Sequence, residues 1–311
     1  MNKDTFLDPL KTTHLFALNS HLDELIDLHN ISKFPKSTLI SGKKGIGKFT
    51  MINHFINYIY EKNTYDLKNK IIDGSSETFM KVQNEAFPNF IHIKNDGLNK
   101  VKIDDIRSLK DLISKSSILN GPRFIIFDDV EKLNHNSANS LLKIIEEPSE
   151  NNYFILINNQ QNSLLETISS RCLIKKIFVS NKKRIDTIEK LIISNNIEDT
   201  NFDYIKTDIT PGAFLNYNQI CTDHKITKDL NYFSKLDRLL KLYKKIKDKN
   251  LINISIYITE YYFYNLSIKY QNHIFNDKKN EMINQINDFA TYNLNINSVL
   301  QNIHSETYYA K

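Results

Sequence analysis

Apolar residues recur along this chain at two spacings. Short apolar runs at 124–127 and 153–157 have the length and continuity of strands buried on both faces, and the stretches 37–41, 88–93 and 173–179 read as further strands. Between them lie segments of helical period. Leu15, Phe16, Leu18, Leu22, Leu25, Ile26 and Leu28 share one face of a mostly helical stretch over 1–35, and Ile52, Phe55, Ile56 and Ile59 share one face of a helix over 51–60. Asp104 opens a helix whose inner side is Ile106, Leu109, Leu112 and Ile113. Residues 136–147 repeat the pattern with Ala138, Leu141, Leu142 and Ile145, until Pro148 stops the helix. Apart from its one strand, 63–100 reads as irregular and polar. Strands alternating with helices in this way predict a doubly wound parallel sheet, an α/β fold.

Beyond residue 180 the strands cease. Residues 181–223 predict a small helical lid, with Ile185, Ile188, Leu191 and Ile192 on its first helix and a later helix entered through Thr210, Pro211 and Gly212. Residues 224–311 predict a wholly helical third domain. Its first stripe is Leu230, Phe233, Leu236, Leu240, Tyr243 and Ile246, and further stripes run over 254–268 and 282–300. The far side of the first helix, with Lys235, Arg238, Lys241, Lys244, Lys245 and Lys247, reads as a solvated face. The expected domains are therefore 1–180, 181–223 and 224–311, a division that 311 residues can support with real cores.

Composition narrows the class further. Apolar content of 41% and charged content of 25% belong to a globular chain, and a net charge of +5 permits nucleic-acid proximity without arguing for it. Two cysteines, Cys172 and Cys221, exclude a disulfide framework and a four-cysteine zinc site, so no metal is expected. No apolar run approaches the roughly 20 residues of a membrane span, and no basic-then-apolar leader opens the chain. The expectation is a cytoplasmic protein without membrane contact.

The candidate chemistry sits where strands end. The strand over 37–41 runs into Gly42-Lys43-Lys44-Gly45-Ile46-Gly47-Lys48-Phe49-Thr50, which fits the phosphate-loop pattern G-x-x-x-x-G-K through Lys48. In such a loop, backbone N–H groups at a helix N-terminus cradle phosphates and the lysine adds charge. The pattern then asks for a Mg²⁺-binding hydroxyl, where this chain has Phe49. Thr50 lies about 100° further round the helix and does not substitute. The strand over 124–127 ends in Asp128 and Asp129, a pair that in P-loop proteins holds Mg²⁺ and activates water, or else caps and pairs locally. The strand over 153–157 ends in Asn158 and Asn159, placed to sense a γ-phosphate. His92 reads as a strand-face histidine rather than a ligand.

One stretch carries more information than these motifs singly. The acid pair, the run from Ser140 to Pro148 (SLLKIIEEP), and Ser170-Arg171-Cys172 follow one another at a spacing that resembles the AAA+ clamp-loader subunits of bacterial DNA polymerase III. The resemblance extends over nearly the whole chain and fits the delta-prime type, in an alpha-proteobacterial form without zinc cysteines. It implies an AAA+ P-loop domain, a lid, and a helical collar that joins subunits. It implies delta and gamma/tau subunits as partners, with the sliding clamp reached indirectly and primer–template DNA through the assembled complex. Departures from the family pattern imply a subunit that does not hydrolyse ATP. Phe49 replaces the hydroxyl, and Asp129 is one methylene shorter than the glutamate of active relatives. No arginine stands at the lid's sensor position, and Lys206 lies upstream of it. No cofactor is then required, and the loop is either empty or holds Mg²⁺–ATP weakly. Arg171, by the same resemblance, is an arginine finger offered in trans to a neighbour's ATP; read from the residues alone, it pairs with a local carboxylate such as Glu166. Thr13 to Phe16 resembles the stretch near the base in relatives and equally suits ordinary core packing. The alternatives are an active ATPase of the same complex and a free-standing P-loop enzyme such as a kinase.

Overall fold

A computed structural model describes residues 8–94, 101–114, 119, 121–198, 200–272 and 274–308. Among these residues five strands, β1 (Ser37–Ser41), β2 (Phe90–Ile93), β3 (Arg123–Phe127), β4 (Asn152–Asn158) and β5 (Leu173–Lys176), form one sheet in the order β2-β3-β4-β1-β5. Every pairing is parallel. Every residue of β1 and β3 is buried, as apolar runs covered by helices on both faces require. Alternate residues of β3 and β4 face opposite ways and build two cores. Phe124, Ile126, Ile155 and Ile157 join one with α1 (Asn19–Asn30) and α2 (Lys48–Tyr60). Ile125, Phe127, Phe154 and Leu156 join the other with α4 (Ile103–Ser114) and α5 (His135–Glu146). Each such side chain, fully buried, contributes about 1.5–3 kcal/mol.

The structure departs from several sequence expectations. Within 63–100 it forms α3 (Glu77–Gln83), seven residues capped by the Ser76 hydroxyl, which accepts from the Phe79 N–H. Among the described residues of the N-terminal stretch, α1 alone is helical: residues 8–18 run irregularly, and Ala17 takes a left-handed φ of 64°. Leu112 is 50% exposed, because the face of α4 that meets the sheet is narrower than its apolar spacing implied. The last strand ends at Lys176, and Phe178 beyond it is exposed.

The remaining helices are α6 (Glu166–Ser169), α7 (Asn181–Ser194), α8 (Pro211–Asp223), α9 (Tyr232–Ile246), α10 (Lys249–Tyr270), α11 (Ile274–Tyr292) and α12 (Ile296–Tyr308). Contacts divide the chain into two compact units: residues 1–196 with 209–215, and 197–208 with 216–311. The segment expected as a lid is thus shared, α7 belonging to the first unit and most of α8 to the second. In the second unit α9, α10 and α11 pack around Leu236, Leu240, Tyr243, Ile254, Met282 and Phe289, and the Tyr232 and Tyr262 rings stack at 4.2 Å. Ile246 closes the first stripe but lies half exposed at the helix end. Arg238, Lys241, Lys244, Lys245 and Lys247 are exposed, as the sequence predicts for that side of α9, but Lys235 is half-buried, with its ammonium on the Lys228 carbonyl. No helix among the described residues is long and apolar enough to cross a membrane.

Candidate functional site

The sheet order decides what meets. The loop 42–47 follows β1, the acids follow β3, and Asn158 ends β4 with Asn159 just beyond it; these strands are neighbours, so all three groups emerge at one carboxyl edge. That edge is where open parallel sheets place ligands.

Glycine is required in the loop. Gly45 and Gly47 have φ of 82° and 94°, a region that strains side-chain-bearing residues. Lys48, at the first position of α2, is buried, and its ammonium donates to the carbonyls of Gly42 at 2.6 Å and Lys43 at 2.8 Å. Burial pulls its pKa down to about 8, against the opposing pull of Asp128, Glu131 and Asp129. Phe49 turns inward. Its ring packs on His92 at 4.3 Å and edge-on to Phe90 at 6.4 Å, and it is a buried member of the core. His92 is thereby a strand-face histidine, held neutral by desolvation with its pKa lowered to about 4. Thr50 is half-buried one position further along α2.

The acid pair is engaged within the chain. Asp129 takes a left-handed φ of 52°, which turns the chain from β3 into a short 3₁₀ segment over Val130–Lys132. Its carboxylate accepts from Lys44 of the phosphate loop at 3.0 Å and from Lys132. Desolvation raises its pKa, but the Lys132 hydrogen bond, the Lys44 charge and Asn159 outweigh that and leave it low. Asp128 accepts from the Asp129 N–H at 2.8 Å and from Asn159 Nδ2 at 2.9 Å, and burial, helped by the charge of Asp129, pushes its pKa up. Asn159 also donates to Asp129, and its backbone N–H is held by both oxygens of buried Glu131 at 3.1 Å. Asn158 donates to Ser41 at 3.3 Å and accepts from the Gln160 N–H.

A strap crosses the loop. Buried Arg184 of α7 donates to Asn181 and to the Ile209 carbonyl at 3.0 Å. The Thr210 hydroxyl donates to Lys44 O and the Gly212 N–H to Gly45 O, each at 2.8 Å. A Cβ on Gly212 would sit 2.9 Å from Gly45 Cα, so backbone touches backbone.

Arg171 lies elsewhere. Thr38 pairs with Leu173 and Ser41 with Lys176, so Arg171 precedes the amino end of β5 while Gly42 follows the carboxyl end of β1. Three strand steps, roughly 10 Å, separate those ends. Arg171 is exposed and pairs with Glu146 rather than Glu166. The groups at the loop and Arg171 are therefore two places, not one. Sequence reasoning missed Lys44, Lys132, Glu131 and the strap; among these only Glu131, an acid two residues past the pair, had a positional signal.

Three features of this edge depart from the usual Mg²⁺–nucleotide pattern. A phenyl ring replaces the metal-binding hydroxyl, lysines neutralise the second acid, and backbone covers Gly45. Among the described residues no group of three His, Cys, Asp or Glu side chains could hold a metal. Burial pushes the Cys172 thiol up to about 11 and the Cys221 thiol up to about 12, which disfavours the reactive thiolate.

Residues 19–180, just over half of the chain, match the sequence family described as DNA polymerase III, delta subunit. The DNA polymerase III subunit delta' of Buchnera aphidicola subsp. Schizaphis graminum is 29% identical over 241 residues, 74% of this chain and 67% of that one. Subunit delta' of Bacillus subtilis is 30% identical over 135 residues (43% and 39%), and subunit gamma of Buchnera aphidicola subsp. Acyrthosiphon pisum 27% over 171 (55% and 46%). The matched stretch thus spans about two thirds of the first relative and half or less of the others. A solved gamma subunit-related protein of Thermotoga maritima shares 18% identity at a TM-score of 0.47, covering 90% of this chain and 97% of that one, a distant likeness.

Proposed function

Since the chain belongs to the DNA polymerase III delta-subunit family and is of the delta-prime clamp-loader type, we propose that it is a non-hydrolysing structural subunit of a clamp loader. In this reading it works in the cytoplasm beside delta and gamma/tau-type subunits. It helps set a sliding clamp on primer–template DNA, touching the clamp indirectly and the DNA through the complex. It needs no cofactor of its own.

The observation that carries the reading is the occupied acid pair: Asp129 holds Lys44 and Lys132 where a metal or a water would be required. The second half of the proposal is that Arg171 serves a neighbour as an arginine finger. Its place at the opposite edge of the sheet from its own loop supports this, as does the bidentate grip a guanidinium offers to phosphate oxygens.

The purified chain is expected to show no ATP hydrolysis, with Lys48→Ala changing nothing. Turnover of roughly 1 per second or more, abolished by Lys48→Ala, overturns the first half and restores the reading as an active ATPase. In a reconstituted loader, Arg171→Ala is expected to assemble normally and slow DNA- and clamp-stimulated ATP turnover. Trans arginines supply on the order of 10³–10⁵ in rate at one site, and the loss across several sites is smaller. Unchanged turnover sinks the second half.

A further inference from the structure

Arg171 is tethered rather than free. Its Nε donates to the Glu146 carboxylate, and Nη1 donates to the Thr167 carbonyl at 3.1 Å and the Ser170 hydroxyl at 3.4 Å. Thr167 and Ser170 belong to α6 and its end, so they move with the arginine. Glu146 comes from a different element, as the last residue of α5. Leu141, Leu142, Ile144 and Ile145 bury that helix against the sheet, so the backbone that carries Glu146 is anchored while its carboxylate reaches the surface.

Helix stability does not account for Glu146. A carboxylate at a helix C-terminus faces the negative end of the dipole, and Glu147 beside it adds a second negative charge. Arg171 does account for it. A guanidinium has five N–H donors in a rigid plane. Here Nε and Nη1 are engaged and, among the described residues, Nη2 has no hydrogen-bond partner, while the side chain remains 37% exposed. Held at its neck by a carboxylate, the arginine presents one edge outward.

We propose that Glu146 is the positioning residue for Arg171, fixing its guanidinium so that the Nη2 edge is offered to an anionic oxygen of the neighbouring subunit's nucleotide. This rests on the trans reading of Arg171. Glu146 touches no reacting atom; its effect is to remove the search through the arginine's rotamers before the neighbour's phosphate is met.

The test is a double-mutant cycle in the reconstituted loader, reading DNA- and clamp-stimulated ATP turnover, with assembly followed by size-exclusion chromatography. Glu146→Ala is expected to assemble normally and lower kcat roughly 3- to 10-fold with KM unchanged. Glu146→Gln keeps an oxygen acceptor and is expected to recover most of the loss. In an Arg171→Ala background, Glu146→Ala is expected to have no further effect. If Arg171→Ala leaves turnover unchanged, the trans reading falls and takes this proposal with it. If Arg171→Ala slows turnover but Glu146→Ala does not, only the positioning role falls. A Glu146→Ala loss that persists undiminished without Arg171, or that comes with failed assembly for both Glu146 variants, overturns the proposal in favour of a structural role.

Discussion

Lys48 is an ammonium buried with only backbone carbonyls as direct partners, and this has a measurable consequence. Its pKa is about 8 in the folded chain and near 10.5 when unfolded. Below pH 8 both states hold the proton and the burial cost is constant. Between about 8 and 10.5 the unfolded state binds more protons, so stability rises with pH. Measured by urea unfolding, the stability of the native chain relative to Lys48→Met is expected to be flat below pH 8. It should then improve by on the order of 2–3 kcal/mol by pH 10.5. A flat difference throughout would show that Lys48 is not held as a buried ammonium. At this scale the motif residues were legible because their spacing is dictated by chemistry: Gly45 and Gly47 by backbone conformation, Asp128 and Asp129 by the end of an apolar run. Lys44 was not legible. A lysine at a variable loop position carries no pattern, and only the fold brings it to an acid 85 residues away. Glu146 was hidden in the same way, since Arg171 has a nearer acid in Glu166 that it does not use.

Among elements, the strap over 209–212 is the one whose removal tests the site most directly. Gly212→Ala would drive a Cβ to 2.9 Å from Gly45 Cα and 3.0 Å from Gly45 O, and backbone cannot yield as a side-chain tip can. The expected outcome is a loss of about 1–3 kcal/mol with faster amide exchange at 209–215 and at the loop, read by thermal melts and hydrogen exchange. Exchange unchanged at both segments would mean that the strap does not rest on the loop. The strands and longer helices were legible because apolar runs and helical stripes must be buried somewhere. Shorter elements were not. α3 has only seven residues, too few for a period to declare itself, although Ser76 followed by Glu77 is a fair start signal. The strap has no periodicity at all, being a backbone contact of Thr210 to Gly212, and no sequence pattern encodes what it rests on.

The whole molecule is two compact units with separate cores, and α8 begins in the first and ends in the second. A fragment ending at Leu215 retains the sheet, its two covering cores and the strap with Phe214 buried. It is expected to melt cooperatively and to fail to join the other loader subunits on size-exclusion chromatography; a fragment without a cooperative transition, or one that still assembles, would refute this. The helical content beyond residue 180 was legible, but the way it divides was not, because contacts rather than chain order assign α7 and 209–215 to the sheet. Phe49 has a consequence for this molecule's direction of change. Its ring is part of a core, so restoring a hydroxyl there by Phe49→Thr empties packed space at a cost on the order of 2–4 kcal/mol, a large share of a domain's usual 5–15 kcal/mol. In that proposed reading the step alone regains nothing, because Lys44 and Lys132 still hold Asp129 and the Gly212 N–H still donates to Gly45 O. If the chain is the non-hydrolysing subunit proposed above, each reversal is penalised until all are made together, and the loss of nucleotide chemistry works as a ratchet.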